Sequence, residues 1–339
     1  MKQMIITGGT GHIGANLIPL LAKSGKYKIK LLLLPGEDIS MFKGLDLTFS
    51  YGNILDVNYL MREILEGSIV IHLAGYINIS SRDIDKMYRV NFQGTKNIVD
   101  VCMKKNVSKL IYTSSVHAIT PAKNNLIMKE PREIDEKQIV GDYGKSKAMA
   151  TKYVFDKVKD GLPAVVIYPS GVIGPKDYKV SDFGSVIVDI ANNKLKAKVR
   201  GSYNFVDVRD VASGIASAIS QGEIGKGYIL SGYNISVSKI YNVINDYLNR
   251  KHHIPTLPIW FVKSFAKLAE LYYTRRHKKP LFTKYSLYTI TSNHNFDNSY
   301  AKTHLDFKTR DIEVSLIDSL KWFQKYMPDL FKKTSSTKQ

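Results

Sequence analysis

Met4-Ile5-Ile6-Thr7-Gly8-Gly9-Thr10-Gly11-His12-Ile13-Gly14 is the stretch from which the fold is read. A short apolar strand pattern, Met4–Thr7, runs directly into glycines at 8, 11 and 14, and a helical pattern opens at Ala15-Asn16-Leu17-Ile18. Glycines here allow a tight turn and let a pyrophosphate approach the backbone. The following helix N-terminus supplies unpaired N–H groups and a partial positive charge. No Gly-Lys-Ser/Thr follows, which excludes a Walker-type phosphate loop. Thr7, Gly8, Thr10, Gly11, His12, Ile13 and Gly14 are therefore candidates for holding a dinucleotide.

Outward from that turn, apolar runs alternate with helical patterns. Met4–Thr7, Ile29–Leu34, Leu47–Tyr51, Ile69–Ala74, Leu110–Ser114 and Ala164–Tyr168 read as strands. Gly11–Ser24, Asp56–Glu66, Asp83–Lys105 and Tyr143–Lys159 read as helices between them. This alternation predicts right-handed crossovers and a parallel sheet, and near-continuous apolar strands predict a sheet covered on both faces. The fold class is α/β, with a doubly wound parallel sheet. After Pro169 the rhythm changes to helices at Ser181–Asn192, Asp210–Gln221, Ser236–Asn249 and Glu313–Tyr326, with one more strand at Gly227–Leu230. The expected division is a nucleotide-binding domain at 1–169, to which 205–232 returns. A smaller, mostly helical substrate lobe is expected at 170–204 and 233–331, and 332–339 is a polar tail.

The chain has 339 residues, 44% of them hydrophobic, enough for a sizeable core and against global disorder. Cys102 is the single cysteine, so no internal disulfide forms and a reducing compartment fits. The longest apolar run, Ile69–Ile79, is about half a membrane span and is interrupted by His72 and Gly75. Met1–Gly8 contains no small-residue cleavage site, so no cleavable signal is expected and the expected location is cytoplasmic. The 49 Lys+Arg against 30 Asp+Glu give a net charge of +19. The charge is dispersed and no nucleic-acid motif accompanies it, so no nucleic-acid partner is expected. Lys251–Lys284 concentrates it, with Leu257–Tyr273 patterned as an amphipathic helix followed by Arg275-Arg276-His277-Lys278-Lys279. The favoured reading is a substrate-lobe helix with inward aromatics, and contact with an anionic membrane surface is the alternative.

Tyr143 and Lys147 stand four apart at the start of a helix, so both face one way. A phenol near pKa 10 is a poor acid–base group at neutral pH, and a nearby ammonium favours its ionised form. The strand Leu110–Thr113 ends in Ser114-Ser115. Strand C-terminal ends are where open α/β sheets bind ligands, and a hydroxyl there can hold a substrate oxygen.

Glycine turn, strand-end serine and Tyr-x-x-x-Lys, in that order, resemble the extended short-chain dehydrogenases/reductases, the NAD-dependent epimerase/dehydratase family, and its dihydroflavonol-reductase-like members. Further matches are Gly52-Asn53-Ile54-Leu55-Asp56, where Asn53 replaces the family's usual acid, and His72-Leu73-Ala74-Gly75. Val90-Asn91-Phe92-Gln93-Gly94-Thr95, Tyr168-Pro169-Ser170-Gly171-Val172 and Phe205-Val206-Asp207-Val208-Arg209-Asp210 complete the series.

The resemblance implies a Rossmann-type sheet with NAD or NADP as cofactor. Tyr143 would be the acid–base, Ser115 would hold the reacting oxygen, and Lys147 would bind the nicotinamide ribose and lower the tyrosine pKa. Asn53, Ile54, Leu73, Ala74, Gly75, Asn91, Thr113, Pro169, Ser170 and Val172 would line the cofactor groove. Asn91 reads equally as a helix-bonding polar residue or a catalytic relay. Ser114 is the weaker hydroxyl, and His117 is either structural or a pocket residue. The cofactor's ribose reader is open, because the twentieth residue past Gly14 is Leu34 and only Glu37 or Asp38 can reach back. No metal is expected.

The implied function is an NAD(P)-dependent carbonyl reductase or alcohol dehydrogenase acting on a small molecule. The alternative is a nucleotide-sugar epimerase using bound NAD transiently. Thr113-Ser114-Ser115 departs from the dehydratase pattern, and a redox-sensing binding protein is the non-enzymatic alternative. Asp177, Tyr178, Lys179, Tyr203, Asn204, Trp260, Phe261 and Phe265 are candidates for substrate contact. A homodimer through Asp83–Lys105 and Tyr143–Lys159 is implied by resemblance alone.

Overall fold

The computed structural model describes residues 1–77, 83–122, 126–251, 253–262, 264 and 284–331. The chain begins β1 (Lys2–Thr7), α1 (His12–Lys23), β2 (Tyr27–Leu33), β3 (Leu47–Tyr51), α2 (Val57–Glu63) and β4 (Ile69–His72). It continues with α3 (Ile84–Tyr88), α4 (Thr95–Lys104), β5 (Lys109–Thr113), α5 (Asp142–Lys159) and β6 (Ala164–Pro169). Then come β7 (Gly171–Ile173), α6 (Asp182–Ala191), β8 (Lys198–Val199), β9 (Ser202–Asp207), α7 (Val208–Gln221) and β10 (Gly227–Leu230).

Seven strands form one sheet in the order β3-β2-β1-β4-β5-β6-β10, every pair parallel. This is the Rossmann-type arrangement expected from the alternating sequence. The chain winds outward from β1 to β3 on one side and then crosses to β4 on the other. The crevice therefore opens between the C-terminal ends of β1 and β4, where Thr7 pairs with His72.

Successive strand residues face opposite ways. Met4 and Ile6 join Leu17, Ile18 and Leu21 of α1 and Val211 and Ile215 of α7. Ile5 joins Leu60 of α2, Ile98 and Val101 of α4, and Ala148 and Val154 of α5. Each fully buried aliphatic side chain contributes roughly 1.5–3 kcal/mol, so the double covering explains why the strands carry no polar face.

Two sequence expectations for the nucleotide-binding half change in the structure. Asp83–Lys105 is not one regular helix, because a π-helical segment, Arg89–Gly94, separates α3 from α4. Inside that segment Asn91 bonds the backbone of Tyr76, and a Cβ on Gly94 would stand 2.5 Å from Ile54 Cδ1. The wider turn thus serves contacts outside the helix. The strand expected to reach Ala74 ends at His72, and beyond it the Ala74 N–H meets the Thr7 side chain rather than a backbone carbonyl of the neighbouring strand.

β9 pairs with β7 and with β11 (Tyr233–Ser236) in a separate three-stranded sheet. The chain rejoins the large sheet through α7 and β10. Ile187 and Ile190 of α6, Ile240 and Ile244 of α8 (Val237–Tyr247), and Leu316 and Leu320 of the helix Ile312–Tyr326 pack with Ile173 and Phe205. Of the amphipathic stretch expected at Leu257–Tyr273, Leu257 belongs instead to β12 (Thr256–Leu257), paired with β8. Trp260 and Phe261 are exposed. Lys263, Phe265–Tyr273 and the cations Arg275–Lys279 lie outside the described residues, as does the tail 332–339. Among the described residues no helix is long and apolar enough to cross a membrane.

The glycine turn is closely packed against its own backbone. A Cβ on Gly14 would collide with the carbonyl of Gly9. Gly14→Ala is expected to lower stability by about 1–3 kcal/mol through overpacking, read as a drop in the urea midpoint with an unchanged m-value.

Candidate active site

Thr7 ends β1 and its hydroxyl is 2.7 Å from His72 Nδ1, while His72 Nε2 is 2.9 Å from Thr95 Oγ1. The proton positions follow by elimination. Thr95 donates to the Asn91 carbonyl at 2.7 Å, so His72 Nε2–H donates to Thr95 and the bare Nδ1 accepts from Thr7. Burial, with the charge of Lys147 added, holds the His72 pKa down to about 3. A neutral histidine therefore joins the glycine turn, β4 and the π-helical segment.

Asn91 is fully buried and its side chain is fully engaged. It accepts from Tyr76 N at 2.7 Å and donates to Tyr76 O at 2.9 Å and to Ser146 Oγ at 3.0 Å. These bonds fix the 73–77 loop against α5. A Cβ on Gly75 would stand 3.3 Å from Lys147 Nζ, so the loop passes close over the lysine.

Lys147 is buried and its ammonium donates to the Thr113 carbonyl at 2.8 Å. Burial lowers its pKa to about 8. Tyr143, one turn earlier, is pushed up to about 12 by burial, with the Ser115 hydroxyl beside it acting the other way. Ser115 Oγ accepts from His117 N at 3.2 Å, which leaves its own hydrogen for another acceptor. Ser114 is spent differently. Its hydroxyl lies 2.6 Å from Thr151 Oγ1, which itself donates to the Lys147 carbonyl, so Ser114 ties β5 to α5.

At the other end of the crevice, Glu37 lies over the glycine turn. Its Oε1 accepts from Thr10 Oγ1 at 2.9 Å and from Lys179 Nζ at 2.8 Å. Of the two acids considered for the ribose, Glu37 reaches back, whereas Asp38 is bonded to Ser40. The His12 side chain is occupied by the protein itself and donates to the carbonyls of Gly174 and Pro175 at 3.2 and 3.1 Å. Asn53 is exposed and its side chain accepts from Leu55 N, while Asn97 holds the carbonyls of Ile54 and Leu55.

The residues fit a nicotinamide dinucleotide. The first turn of α1 carries no acid, and the glycine turn presents backbone to the crevice. Thr113 Oγ1 and Ser170 Oγ, at the ends of β5 and β6, are buried without a hydrogen-bond partner among the described residues. Polar groups so placed call for a ligand rather than for packing. The side chains of Thr7 and Asn91, and the backbone carbonyl of Thr113, thus meet Ser115, Tyr143 and Lys147 at one crevice.

Sequence reasoning missed three partners from distant segments: Lys179 as the partner of Glu37, and Tyr285 and His294 beside His117. Tyr203 OH lies 2.8 Å from His117 Nε2, and Tyr285 OH lies 3.0 Å from Nδ1. His117 stands edge-on to Tyr143, with ring centroids 5.8 Å apart. Gly144 permits this, since a Cβ there would stand 2.7 Å from the His117 carbonyl.

The model of the 3-beta hydroxysteroid dehydrogenase/isomerase family matches residues 5–220, which span the glycine turn, Ser115, Tyr143 and Lys147. The chain belongs to that family. It is an NAD(P)-dependent oxidoreductase of the extended short-chain dehydrogenase/reductase class, related to dihydroflavonol-reductase-like proteins. It is similar to a putative dihydroflavonol 4-reductase of Synechocystis, 27% identical, with 95% of this chain and 94% of the relative covered. The crystal structure of gox2253 superposes with a TM-score of 0.84 at 27% identity, covering 96% of this chain and 99% of that one. A nucleoside-diphosphate-sugar epimerase from Pseudomonas aeruginosa gives 0.78 at 20% identity, covering 98% and 99%, and shares the fold. Other solved structures with this fold include nucleotide-sugar dehydratases and epimerases.

His72 and His117 make the fold sensitive to acid. Burial lowers both below the usual 6.5, to about 3 and about 4. Between 6.5 and those values the unfolded chain binds protons that the folded chain refuses, so stability falls as pH drops. Each histidine removes up to about 1.4 kcal/mol per pH unit in that window. The urea midpoint is expected to fall from pH 7 to pH 5, and less steeply in His117→Phe.

Proposed function

We propose that this protein catalyses reversible hydride transfer between NAD(P) and a carbonyl or secondary alcohol on an uncharged small molecule. The observation that carries this reading is the meeting of Tyr143 and Ser115 with a wall of neutral rings, His117, Tyr203 and Tyr285. NAD(P) held at the glycine turn supplies or accepts the hydride. The chain's own residues handle the oxygen. Ser115 donates to the substrate oxygen and fixes it beside Tyr143. In reduction the Tyr143 phenol, kept protonated by burial, gives its proton to that oxygen. In oxidation it takes the proton back, and the Lys147 ammonium one helical turn away stabilises the phenolate. Lys147 is held for this by the Thr113 carbonyl. Thr7, Gly8, Thr10, Gly11, Ile13 and Gly14 would hold the diphosphate. Thr113, Ser170 and Val172 would flank the nicotinamide.

A nucleotide-sugar epimerase is the second reading, and by number the solved structures that share the fold favour it over the first. The site itself supports the first. It has the neutral rings, and Arg209 pairs with Asp207 and Asp318 and Arg310 pairs with Asp210, so neither of these two arginines is free to meet a sugar nucleotide's diphosphate. The two readings separate in one assay. Net oxidation or reduction of added cofactor, followed at the nicotinamide absorbance with a ketone panel, supports the oxidoreductase. Interconversion of a nucleotide sugar with no net change in cofactor supports the epimerase.

Tyr143→Phe is expected to lower turnover by two or more orders of magnitude with cofactor affinity nearly unchanged, because only the transferred proton is lost. Lys147→Ala is expected to damage both. Near-normal turnover in Tyr143→Phe would remove its acid–base role.

Glu37 suits a ribose hydroxyl and Lys179 suits a phosphate, and both stand at Thr10. NAD and NADP are therefore expected to bind within about tenfold of each other, or 1.4 kcal/mol. Calorimetric titration with each cofactor checks this, and a hundredfold preference would refute it.

A further inference from the structure

Lys179, a candidate for substrate contact in the sequence, stands instead at the glycine turn, 169 positions from Thr10 in the chain. Its ammonium donates to Thr10 Oγ1 at 2.9 Å and to Glu37 Oε1 at 2.8 Å. The Thr10 hydroxyl donates to the same Glu37 oxygen at 2.9 Å. Both bonds fall on Oε1, and Oε2 takes no hydrogen bond among the described residues.

The backbone on either side of Lys179 is held in place. The carbonyls of Gly174 and Pro175 accept from His12 and Asn16 of α1. The Tyr178 ring stands edge-on to Trp322, with centroids 4.9 Å apart. Val180 N donates to the Asp177 carbonyl and Ser181 N to the Asp177 carboxylate. Lys176 and Val180 have φ of 65° and 46°, left-handed values that such side chains keep only where surrounding contacts hold them. The Lys179 side chain, by contrast, is 59% exposed, against 20% for Glu37. Its Cα is thus fixed beside the glycine turn, while its ammonium can change partners.

Leaving Glu37 costs the ammonium little, because water solvates an exposed ion pair almost as well as the partners do. An acid at this place in the fold accepts from the adenosine ribose hydroxyl of NAD, and its charge repels the 2′-phosphate of NADP. Here the acid already carries a counter-ion. A phosphomonoester holds about two negative charges at neutral pH against one on Glu37, so a phosphate at that ribose draws the ammonium to itself. With NAD no such anion competes. The ion pair then stays closed, and Glu37 Oε2 is left for the ribose hydroxyl.

We propose that Lys179 is the residue that admits NADP: it leaves Glu37 to bond the 2′-phosphate directly, and it stays on Glu37 when the cofactor is NAD. This rests on the reading that Glu37 meets the adenosine ribose, and it assigns the phosphate to a residue between β7 and α6 rather than to the loop after β2.

The test is calorimetric titration of the full-length protein with NAD and NADP, and with AMP and adenosine 2′,5′-bisphosphate, a pair that differs only in the 2′-phosphate. Lys179→Gln is expected to weaken NADP by about tenfold or more and NAD by less than about threefold, and the two fragments are expected to part in the same way. Lys179→Arg, which keeps the charge, is expected to hold the wild-type ratio within about threefold. Glu37→Gln is expected to raise the affinity for NADP relative to NAD by about tenfold, because the repelling charge is gone. Adding Lys179→Gln to Glu37→Gln is expected to weaken NADP again by about tenfold.

That last step separates direct contact from neutralisation. A lysine that merely cancels the carboxylate has nothing to do once the carboxylate is gone, so an unchanged NADP affinity there overturns the proposal. Equal losses of NAD and NADP in Lys179→Gln overturn it too, since they put the ammonium on the shared diphosphate or in the frame of the groove. Wild-type protein that binds neither NADP nor the bisphosphate has the same consequence. If Glu37→Gln leaves the ratio unchanged while Lys179→Gln weakens NADP selectively in both backgrounds, the ribose reading of Glu37 fails and the assignment of Lys179 holds.

Discussion

The neutral ring of His72 accepts from Thr7 and donates to Thr95, and through them three parts of the chain keep one relative position. Thr7 is where β1 becomes the glycine turn. Thr95 bonds the carbonyl of Asn91, whose side chain carries the 73–77 loop and Ser146 of α5. Tyr143 and Lys147 lie on that same helix. The glycine turn and the helix that carries Tyr143 and Lys147 are thus linked by hydrogen bonds in which each donor has one available acceptor. A proton added to His72 would remove the acceptor that Thr7 needs. Burial beside Lys147 makes that proton costly, which protects the linkage at neutral pH.

The same burial explains the division of labour between the two hydroxyls after β5. Both are strand-end serines, and local sequence alone does not separate them. The structure does so through their hydrogens: Ser114 is used up by Thr151, while Ser115 accepts from the His117 N–H and faces Tyr143. Gly144 contributes by its lack of a side chain, which lets the His117 backbone rest on the first turn of α5.

Local patterns made the sheet legible in the sequence, because a strand buried on both faces has little choice of residue. The glycine turn, Ser115, Tyr143 and Lys147 could be singled out for a related reason, since the chemistry proposed for them needs short spacings. The π-helical segment was not legible, because Val90–Thr95 reads as ordinary helix until Asn91 finds the Tyr76 backbone. Counting twenty residues from Gly14 led to Leu34, but Pro35-Gly36 carries the chain on before Glu37 folds back over Thr10. Lys179, Tyr285 and His294 come from segments with no periodic relation to the site. Only the packing of the smaller sheet and its helices brings them there, and no spacing rule records such a meeting.

The struts from His12 and Asn16 to the carbonyls of Gly174 and Pro175 join residues separated by about 160 positions. Lys179 adds a third tie, to Thr10 and Glu37. The glycine turn leaves the ribosome well before these supports, which are made only after about 160 further residues have followed. β1 to β6 can associate as a sheet before then, as domains commonly fold from the N-terminus during synthesis. The groove for the dinucleotide acquires its finished walls only once the 174–179 segment has emerged and closed on it. Ligand capture therefore belongs late in the life of the nascent chain, and a polypeptide cut short after β6 would own the glycine motif without its binding site.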